Sequence, residues 1–581
     1  MKKGEQLYEK LGEVNEKYVD EAENYAGKSA GTATGKNKSA ERKSEMERVE
    51  GVVRLPERRR RFLPAAIAAC FAVTAISLPV IFYRNSANVP SSDIPEVTDT
   101  DTVSEENNQN TDSNTPEENN QFLPSSIYEM NKQTNEYELV YRSEPLDYEV
   151  CDNTDDEFEN PDIYSWSVET ALTEISDYFM EKNNLETRND GFEIFRKGGY
   201  ELYLTTDRDI QEHLDSKYAD WYFFPEALNE YGDPVQSTFV VMDYKGHILG
   251  VEGELGEKTQ NLGFNRACDG GRQPGSAITP VTAYGYAIEN NLLTYSSYCD
   301  DKFLPSGTYA GLEEWPLNFD GTPSGGRYPL WFFFRNSICT LPAQIVYNNG
   351  SNIIQDVFDF TTQKLHLELD SEKDADYGAL CTGSTYTGPG IINLANAYMP
   401  YGNGGKYYRA SIISKCVDSS GEVIIDNENR EAEQAVSEET AFIMNKLLTN
   451  VITSGTGRFA QLENTVCAGK TGADDEWQDL TFVGMTPDYL SALWVGYDSG
   501  ENRWAIESTN SARIWKNVFG DYADEHVTVN SFPECDTVSC EKYCAVTGKR
   551  ASEGCPEPDD SNIPNILGYF KPDDPYCDGQ H

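Results

Sequence analysis

Three segments of this chain carry residue types that suit chemistry on a carbonyl group, with serines at positions 276 and 337 and a lysine at 470. Ser276 precedes an apolar stretch with helical spacing, Pro280 to Asn290, so it is predicted to lie at a helix N-terminus. Backbone N–H groups and the helix dipole favour developing negative charge there. A serine hydroxyl becomes a nucleophile when an adjacent base accepts its proton. Together, Ser276, Ser337 and Lys470 indicate a serine acyl-transfer site.

Taken one at a time, these signals are weak. A lone serine before a helix is more often a cap than a nucleophile. Ala468 to Thr471 also matches the end of a phosphate-binding loop, but Asn464 stands where that loop requires its first glycine. The five histidines form no metal-ligand pair at helical spacing, so a histidine-ligated zinc enzyme is not predicted.

The elements that must position these residues alternate between strand and helix patterns. The order of the elements predicts an α+β fold, in which one mixed, mainly antiparallel sheet is flanked by helices. Strands are predicted at 201–206, 239–243, 247–251, 480–485 and 489–497, and helices at 164–179, 207–214, 280–290, 342–347, 391–398 and 438–452.

Several further segments, in order along the chain, resemble the transpeptidase domain of class A (bifunctional) penicillin-binding proteins. The family's motifs Ser-x-x-Lys, Ser-x-Asn and Lys-Thr-Gly correspond to positions 276–279, 337–339 and 470–472. The resemblance spans about residues 160–580, and no glycosyltransferase domain is recognisable before it. The other similar segments are 198–207, 239–250, 265–275, 393–405, 455–457, 482–487, 493–498 and 544–577.

The resemblance implies a penicillin-binding-protein or β-lactamase-like fold and a set of site residues. It implies a serine that attacks the D-Ala-D-Ala amide, a second serine that relays a proton, and a strand that binds the substrate carboxylate. No cofactor and no metal ligand are predicted. The catalytic residues are Ser276, Ser337 and Lys470, and the substrate-binding positions are Thr279, Cys339, Thr471, Gly472 and Ala473.

Three positions depart from the family pattern. Thr279 replaces the general-base lysine, Cys339 replaces the asparagine of Ser-x-Asn, and Ala473 follows Lys-Thr-Gly where a threonine is usual. Loss of a positioned general base typically costs about 10²–10⁴-fold in rate. A threonine side chain cannot act as a base near neutral pH. Lys470 is the residue that remains as a substitute general base.

These departures leave three functional hypotheses. The leading one is a pseudo-transpeptidase that binds peptidoglycan stem peptides, β-lactams or cell-wall synthesis proteins without cross-linking. The second is a divergent, active D,D-transpeptidase that uses Ser276 with Lys470 as its base. The third, ranked lowest, is a cell-wall or β-lactam sensor. Whether the chain is a working enzyme stays open at this point.

Charge and hydropathy predict where the chain resides. The net charge of −50 argues against a nucleic-acid partner. Residues 62–83 form an uncharged apolar run long enough to span a bilayer, and four arginines, 58–61, precede it. By the positive-inside rule the N-terminus is cytoplasmic and the large domain is extracellular. A cleaved signal peptide is less favoured, because the apolar run starts late and is long.

Composition divides the chain into six predicted segments. An acidic linker rich in Ser, Asn, Glu and Pro separates the membrane from the folded part. The segments are a largely disordered cytoplasmic tail (1–61), a transmembrane helix (62–83), a disordered linker (84–122), a pre-transpeptidase segment (123–197), a transpeptidase-like domain (198–530) and a Cys-rich C-terminal tail (531–581).

Cysteines are concentrated in that C-terminal tail. Five of the thirteen cysteines lie there, and in an extracellular protein such a cluster favours a disulfide staple over a zinc site. Cys339 and Cys467, near the predicted cleft, are interpreted as small buried side chains or disulfide partners rather than catalytic thiols, because no histidine lies near either in sequence.

Overall fold

The computed structural model describes residues 122–145, 158–219, 224, 232–318, 321–350, 352–474, 478–498, 510–558 and 567–579. The predicted cytoplasmic tail, membrane span and most of the acidic linker lie outside these residues. Within the described ranges, no helix is both long enough and apolar enough to cross a bilayer.

Sixteen strands occur among the described residues. They are β1 (Ser126–Asn131), β2 (Glu136–Arg142), β3 (Glu201–Leu204), β4 (Gln236–Met242), β5 (Ile248–Glu252), β6 (Tyr298–Asp300), β7 (Arg327–Pro329), β8 (Lys406–Tyr407), β9 (Ile413–Val417), β10 (Val423–Asp426), β11 (Glu433–Gln434), β12 (Ala468–Ala473), β13 (Leu480–Met485), β14 (Leu490–Gly496), β15 (Ser539–Lys542) and β16 (Leu567–Phe570).

Twelve α-helices occur in the same part of the chain. They are α1 (Trp166–Lys182), α2 (Arg188–Arg196), α3 (Arg208–Tyr218), α4 (Ala283–Glu289), α5 (Leu330–Arg335), α6 (Thr340–Asn348), α7 (Ile353–Asp359), α8 (Tyr377–Thr382), α9 (Ile391–Gly402), α10 (Glu438–Ser454), α11 (Asn510–Trp515) and α12 (Asp521–Glu525).

The first five-stranded sheet has the order β10-β9-β3-β1-β2. Its β1–β3 pairing is parallel, and the other pairings are antiparallel. Ile127, Leu202 and Cys416 face one another across three neighbouring strands and are fully buried. The predicted boundary between residues 197 and 198 therefore falls inside one sheet, because β1 and β3 lie on either side of it.

The second five-stranded sheet, β12-β13-β14-β4-β5, is antiparallel throughout and is buried on both faces. Along β4, Phe239 and Val241 join one apolar cluster while Val240 and Met242 join another, as strand alternation requires. The sequence predicted a single mixed sheet, and that prediction is wrong. Strand β3 forms its backbone hydrogen bonds with β1 and β9 instead of with the β4–β5 hairpin.

The predicted helices are present, with shifted ends. Helices α1 and α10 begin at serine caps, because the side chains of Ser165 and Ser437 accept hydrogen bonds from the N–H groups of Val168 and Thr440. Long helices with many apolar residues are the elements that can be predicted most reliably from a sequence. Helix α10 packs against α5 and β12, the elements that flank the site described below.

Replacement of Trp515 by alanine is expected to destabilise the domain by about 3–5 kcal/mol. Trp515 is fully buried, packs on Phe482 and donates a 2.7 Å hydrogen bond to Ser491 Oγ. Urea unfolding followed by circular dichroism measures the loss. The matched control is Val529→Ala, at a side chain 46% exposed, which is expected to change stability by less than about 0.5 kcal/mol. Equal effects of the two variants would contradict the prediction.

Candidate active site

Ser276 is the second residue of a 3₁₀ helix, Gly275–Val281, and is half-buried. The α-helix that follows begins only at Ala283, so the predicted helix start at Pro280 is wrong. Proline has no N–H to donate, and the tighter 3₁₀ turn accommodates it. Gly275 has φ +54°, and a Cβ on it would lie 2.1 Å from the carbonyl oxygen of Ala473. Glycine at this position therefore lets β12 approach the serine.

Two arginines fasten the segment before Ser276 to the end of the second sheet. Arg266 Nε lies 2.9 Å from Asp498 Oδ1, and Arg272 Nη2 lies 2.6 Å from the same oxygen. The guanidinium of Arg272 also sits 4.4 Å from the centre of the Trp494 ring. Charge-assisted bonds of this kind fix the orientation of the serine segment.

Ser337 lies in the turn between α5 and α6 and brings its hydroxyl to that of Ser276. Its Oγ donates to Ser276 Oγ over 2.7 Å. The backbone of Ser337 has φ +55°, an uncommon conformation for a residue other than glycine. Such conformations cluster at functional sites, where the surrounding structure holds them in place.

Lys470 lies on the edge strand β12 and is only 1% exposed. Its Nζ is 3.1 Å from Ser276 Oγ, 2.7 Å from Ser337 Oγ and 2.8 Å from the carbonyl oxygen of Thr471. Burial lowers the pKa of Lys470 from 10.5 to about 7, since removal from water disfavours the ammonium form. Within the described part of the chain, Lys470 forms no ion pair with a carboxylate.

These contacts suit both protonation states of Lys470, because an ammonium has three N–H donors for the three oxygens. A neutral lysine has two N–H donors and one lone pair. One N–H is taken by the Thr471 carbonyl, which can only accept, and the other suits Ser337 Oγ. In the neutral form the lone pair remains for the Ser276 hydroxyl at 3.1 Å, as a general base requires. Ser276 Oγ also lies 3.2 Å from Thr471 O, an alternative acceptor for its proton.

Thr279 lies one turn after Ser276 and is buried. Its hydroxyl donates a 2.8 Å hydrogen bond to the backbone carbonyl of Ser276, not to the Ser276 side chain. Such i→i−3 bonding satisfies a buried hydroxyl locally. The substrate-binding role assigned to Thr279 stays a prediction.

The three positions on β12 that are predicted to bind substrate lie at the same edge of the site. Thr471 Oγ1 lies 2.7 Å from Thr456 Oγ1, which ties the strand to the segment after α10. A Cβ on Gly472 would lie 2.0 Å from the carbonyl oxygen of Pro274, so only glycine permits this approach. Ala473 ends the strand beside Gly275. Thr456 was missed as a supporting residue, although its Gly-Thr-Gly motif at 455–457 was visible in the sequence.

Cys339 lies just before α6, at its N-cap position, and its backbone N–H donates a 3.1 Å hydrogen bond to Asn318 Oδ1. Asn318 is held in turn by Asp301, which also accepts from Thr340 Oγ1 at 2.8 Å. Burial alone would raise the pKa of Asp301, but hydrogen bonds from Ser324, Asn318 and Thr340 hold it below its usual value. No motif marks Asn318 or Asp301, so sequence reasoning had no signal for this support of the Ser337–Cys339 turn.

Comparison with known protein families gives a match to the penicillin binding protein transpeptidase domain over residues 347–519. The matched region contains Lys470, whereas Ser276 and Ser337 precede it. The match therefore includes the strand that carries Lys470 but not the two serines. Hydrogen bonds between Lys470 Nζ and the hydroxyls of Ser276 and Ser337 connect the matched region to them.

Two relatives illustrate the similarity in sequence. Penicillin-binding protein 1A of Clostridium botulinum (strain Langeland) is 28% identical over 337 residues, which cover 56% of this chain and 39% of the relative. Penicillin-binding protein 4 of Bacillus subtilis is 30% identical over 327 residues, which cover 55% of this chain and 48% of the relative. The chain thus spans about half or less of these relatives.

Solved structures share the fold. The PonA1 protein of Mycobacterium tuberculosis, solved in complex with penicillin V, superposes with a TM-score of 0.51 at 20% identity, covering 63% of this chain and 96% of that one. Penicillin-binding protein 1A of Haemophilus influenzae gives a TM-score of 0.52 at 17% identity, covering 68% and 75%. The fold, the ordered motifs and the family match agree, and this chain contains a transpeptidase domain of the penicillin-binding protein family.

Proposed function

We propose that this domain is an acyltransferase in which Ser276 is the nucleophile and Lys470 its general base. The observation that carries the proposal is the mutual contact of three groups: Lys470 Nζ lies within hydrogen-bonding distance of both serine hydroxyls, and the two hydroxyls bond each other. The second of the sequence-based hypotheses, a divergent D,D-transpeptidase, is thereby preferred over the pseudo-transpeptidase.

In the proposed reaction Ser276 Oγ attacks the carbonyl carbon of a terminal D-Ala-D-Ala amide or of a β-lactam ring. The Ser276 proton moves to the Lys470 amine as the new C–O bond forms. The C–N bond then breaks, and the ammonium returns the proton to the leaving nitrogen through the Ser337 hydroxyl. The product is an ester on Ser276. A second stem-peptide amine would release that ester to complete cross-linking.

The substrate class and surroundings follow from the family. Peptidoglycan stem peptides are the proposed substrates and β-lactams the proposed inhibitors. Residues 62–83 are proposed to anchor the chain in the cell membrane with the domain outside, where cell-wall synthesis proteins would be its partners. The net charge of −50 argues against a nucleic-acid partner.

A pseudo-transpeptidase is the second candidate, and one specific contact favours it. Ser276 Oγ lies 3.2 Å from the backbone carbonyl of Thr471, and in the arrangement where Ser276 donates to that carbonyl its proton points away from the Lys470 amine. Thr279 also replaces the lysine of Ser-x-x-Lys. In this arrangement the site binds a substrate but has no base positioned to start the reaction.

Covalent labelling separates the two candidates. The detergent-solubilised full-length chain is treated with benzylpenicillin, and mass spectrometry then measures the added mass and locates it. We expect one penicilloyl group on the peptide that contains Ser276, and none in the Ser276→Ala variant. Ser216→Ala, at an exposed serine on α3, is the matched control and should label normally. A folded native chain that takes up no label, or takes it up elsewhere, would favour the pseudo-transpeptidase.

A further inference from the structure

Three cysteines of the C-terminal tail come together from separate stretches of chain. Cys544 follows β15, Cys555 lies eleven residues later, and Cys577 follows β16. The three sulfur atoms all lie within 4.8 Å of one another. Cys544 and Cys577 are 0% and 5% exposed, and Cys555 is half-buried.

Backbone N–H groups point at these sulfurs. The N–H of Val546 lies 3.4 Å from Cys544 Sγ, and the N–H of Ser552 lies 3.4 Å from Cys555 Sγ. Hydrogen bonds to sulfur stabilise the thiolate form, which is the form that binds metal ions.

We propose that Cys544, Cys555 and Cys577 together bind one zinc ion as thiolates. Tetrahedral zinc with sulfur ligands at about 2.3 Å places the sulfurs about 3.8 Å apart, so small side-chain rotations suffice to close the cluster. Each thiol loses its proton to solvent on binding. Water or the carboxylate of Asp578, whose Oδ1 lies 4.0 Å from Cys577 Sγ, takes the fourth position.

The zinc ion accounts for all three sulfurs, whereas a disulfide would join two of them and leave the third. Among the described residues no disulfide is formed. The disulfide staple favoured by composition is therefore not supported at this cluster. The proposal likewise replaces the expectation that the chain has no metal ligands.

The ion would stabilise the tail at the place where the tail packs against the rest of the domain. Beside Cys544, the carbonyl oxygen of Gly548 accepts a 2.7 Å hydrogen bond from Ser296 Oγ. After β16, Lys571 Nζ donates to the carbonyl oxygen of Ile288 over 2.6 Å, near the end of α4. A two-stranded hairpin such as β15–β16 is marginally stable alone, and small segments commonly need a metal or disulfide staple.

Metal analysis of the full-length chain tests the proposal. The protein is purified in chelator-treated buffers and its zinc content is measured by inductively coupled plasma mass spectrometry. We expect about one zinc ion per chain, lost in Cys544→Ser and in Cys577→Ser. Cys540→Ser, at an exposed cysteine on β15 in the same tail, is the matched control and should keep the ion.

A measurement on the native chain keeps the test independent of variant folding. The unreduced protein is denatured in the presence of an alkylating reagent and digested, and the cysteine peptides are identified by mass spectrometry. Zinc binding predicts alkylation of all three cysteines and protection of the tail from protease until a chelator is added. A disulfide between any two of the three, with no bound zinc, would overturn the proposal. So would a zinc-free chain with all three thiols reduced.

Discussion

Replacement of Lys470 by methionine is expected to slow the acylation of Ser276 by penicillin about 10²–10⁴-fold, the usual effect of removing a positioned general base. Methionine is unbranched and of similar length, so it fills the buried position without supplying a proton acceptor. Lys470 Nζ contacts Ser276 Oγ at 3.1 Å and Ser337 Oγ at 2.7 Å, so its loss removes both proposed proton transfers. The measurement is the second-order acylation rate constant, obtained with a fluorescent penicillin and the full-length chain.

The matched control is Lys516→Met. Lys516 Nζ donates to the backbone carbonyl of Gln461 at an exposed position, so its replacement removes a lysine without touching the serines. Circular dichroism verifies that both variants are folded. An acylation rate in folded Lys470→Met equal to that of the native chain would exclude Lys470 as the base.

The importance of Lys470 could be predicted only in part from the sequence. Its Lys-Thr-Gly motif resembles the family's substrate-binding strand, and the motif lies on strand β12. The loss of lysine at position 279 made an impaired enzyme the leading sequence hypothesis. The sequence does not show that the Lys470 amine lies between two hydroxyls or that its pKa is near 7. Both properties arise from tertiary burial, which a local motif does not encode.

The fold shows the same division between local and long-range information. Helices α1 and α10 were predicted because their apolar spacing and serine caps are local features. The separation into two sheets was missed because it depends on β3 pairing with β1 and β9, which are 75 and more than 200 residues away along the chain. Strand pairing at such distances leaves no periodic signal in the sequence.

The unusual position of Ser337 was also beyond sequence reasoning. Nothing in the residues Ser337 to Cys339 predicts a positive φ, because serine normally avoids that conformation. Asn318 and Asp301, on a preceding loop, hydrogen-bond to each other and to the backbone of Cys339 two residues after Ser337. Functional geometry in this site thus depends on contacts between segments that are far apart in sequence.

The protonation state of Lys470 makes the acylation rate depend on pH in a defined direction. Its pKa is lowered from 10.5 to about 7 because the ammonium form is removed from water. The neutral amine, the form that accepts the Ser276 proton, therefore predominates above pH 7 and is scarce below it. The folded chain also binds fewer protons here than the unfolded chain between pH 7 and 10.5, so folding stability rises with pH across that window.

Acylation of Ser276 is accordingly expected to quicken about tenfold per pH unit below pH 7, rising about 100-fold from pH 5 to a plateau near pH 8. Stopped-flow measurement of fluorescent penicillin labelling from pH 5 to pH 9 checks the profile, with Ser276→Ala as the blank. In Lys470→Met the slow residual rate should lose the inflection near pH 7. A rate that still rises about tenfold per pH unit at pH 9, with no plateau, would mean that Lys470 stays charged, and it would leave Ser276 without a base at neutral pH. A native profile that is flat across this range would have the same consequence, because no group titrating near pH 7 would then control the reaction.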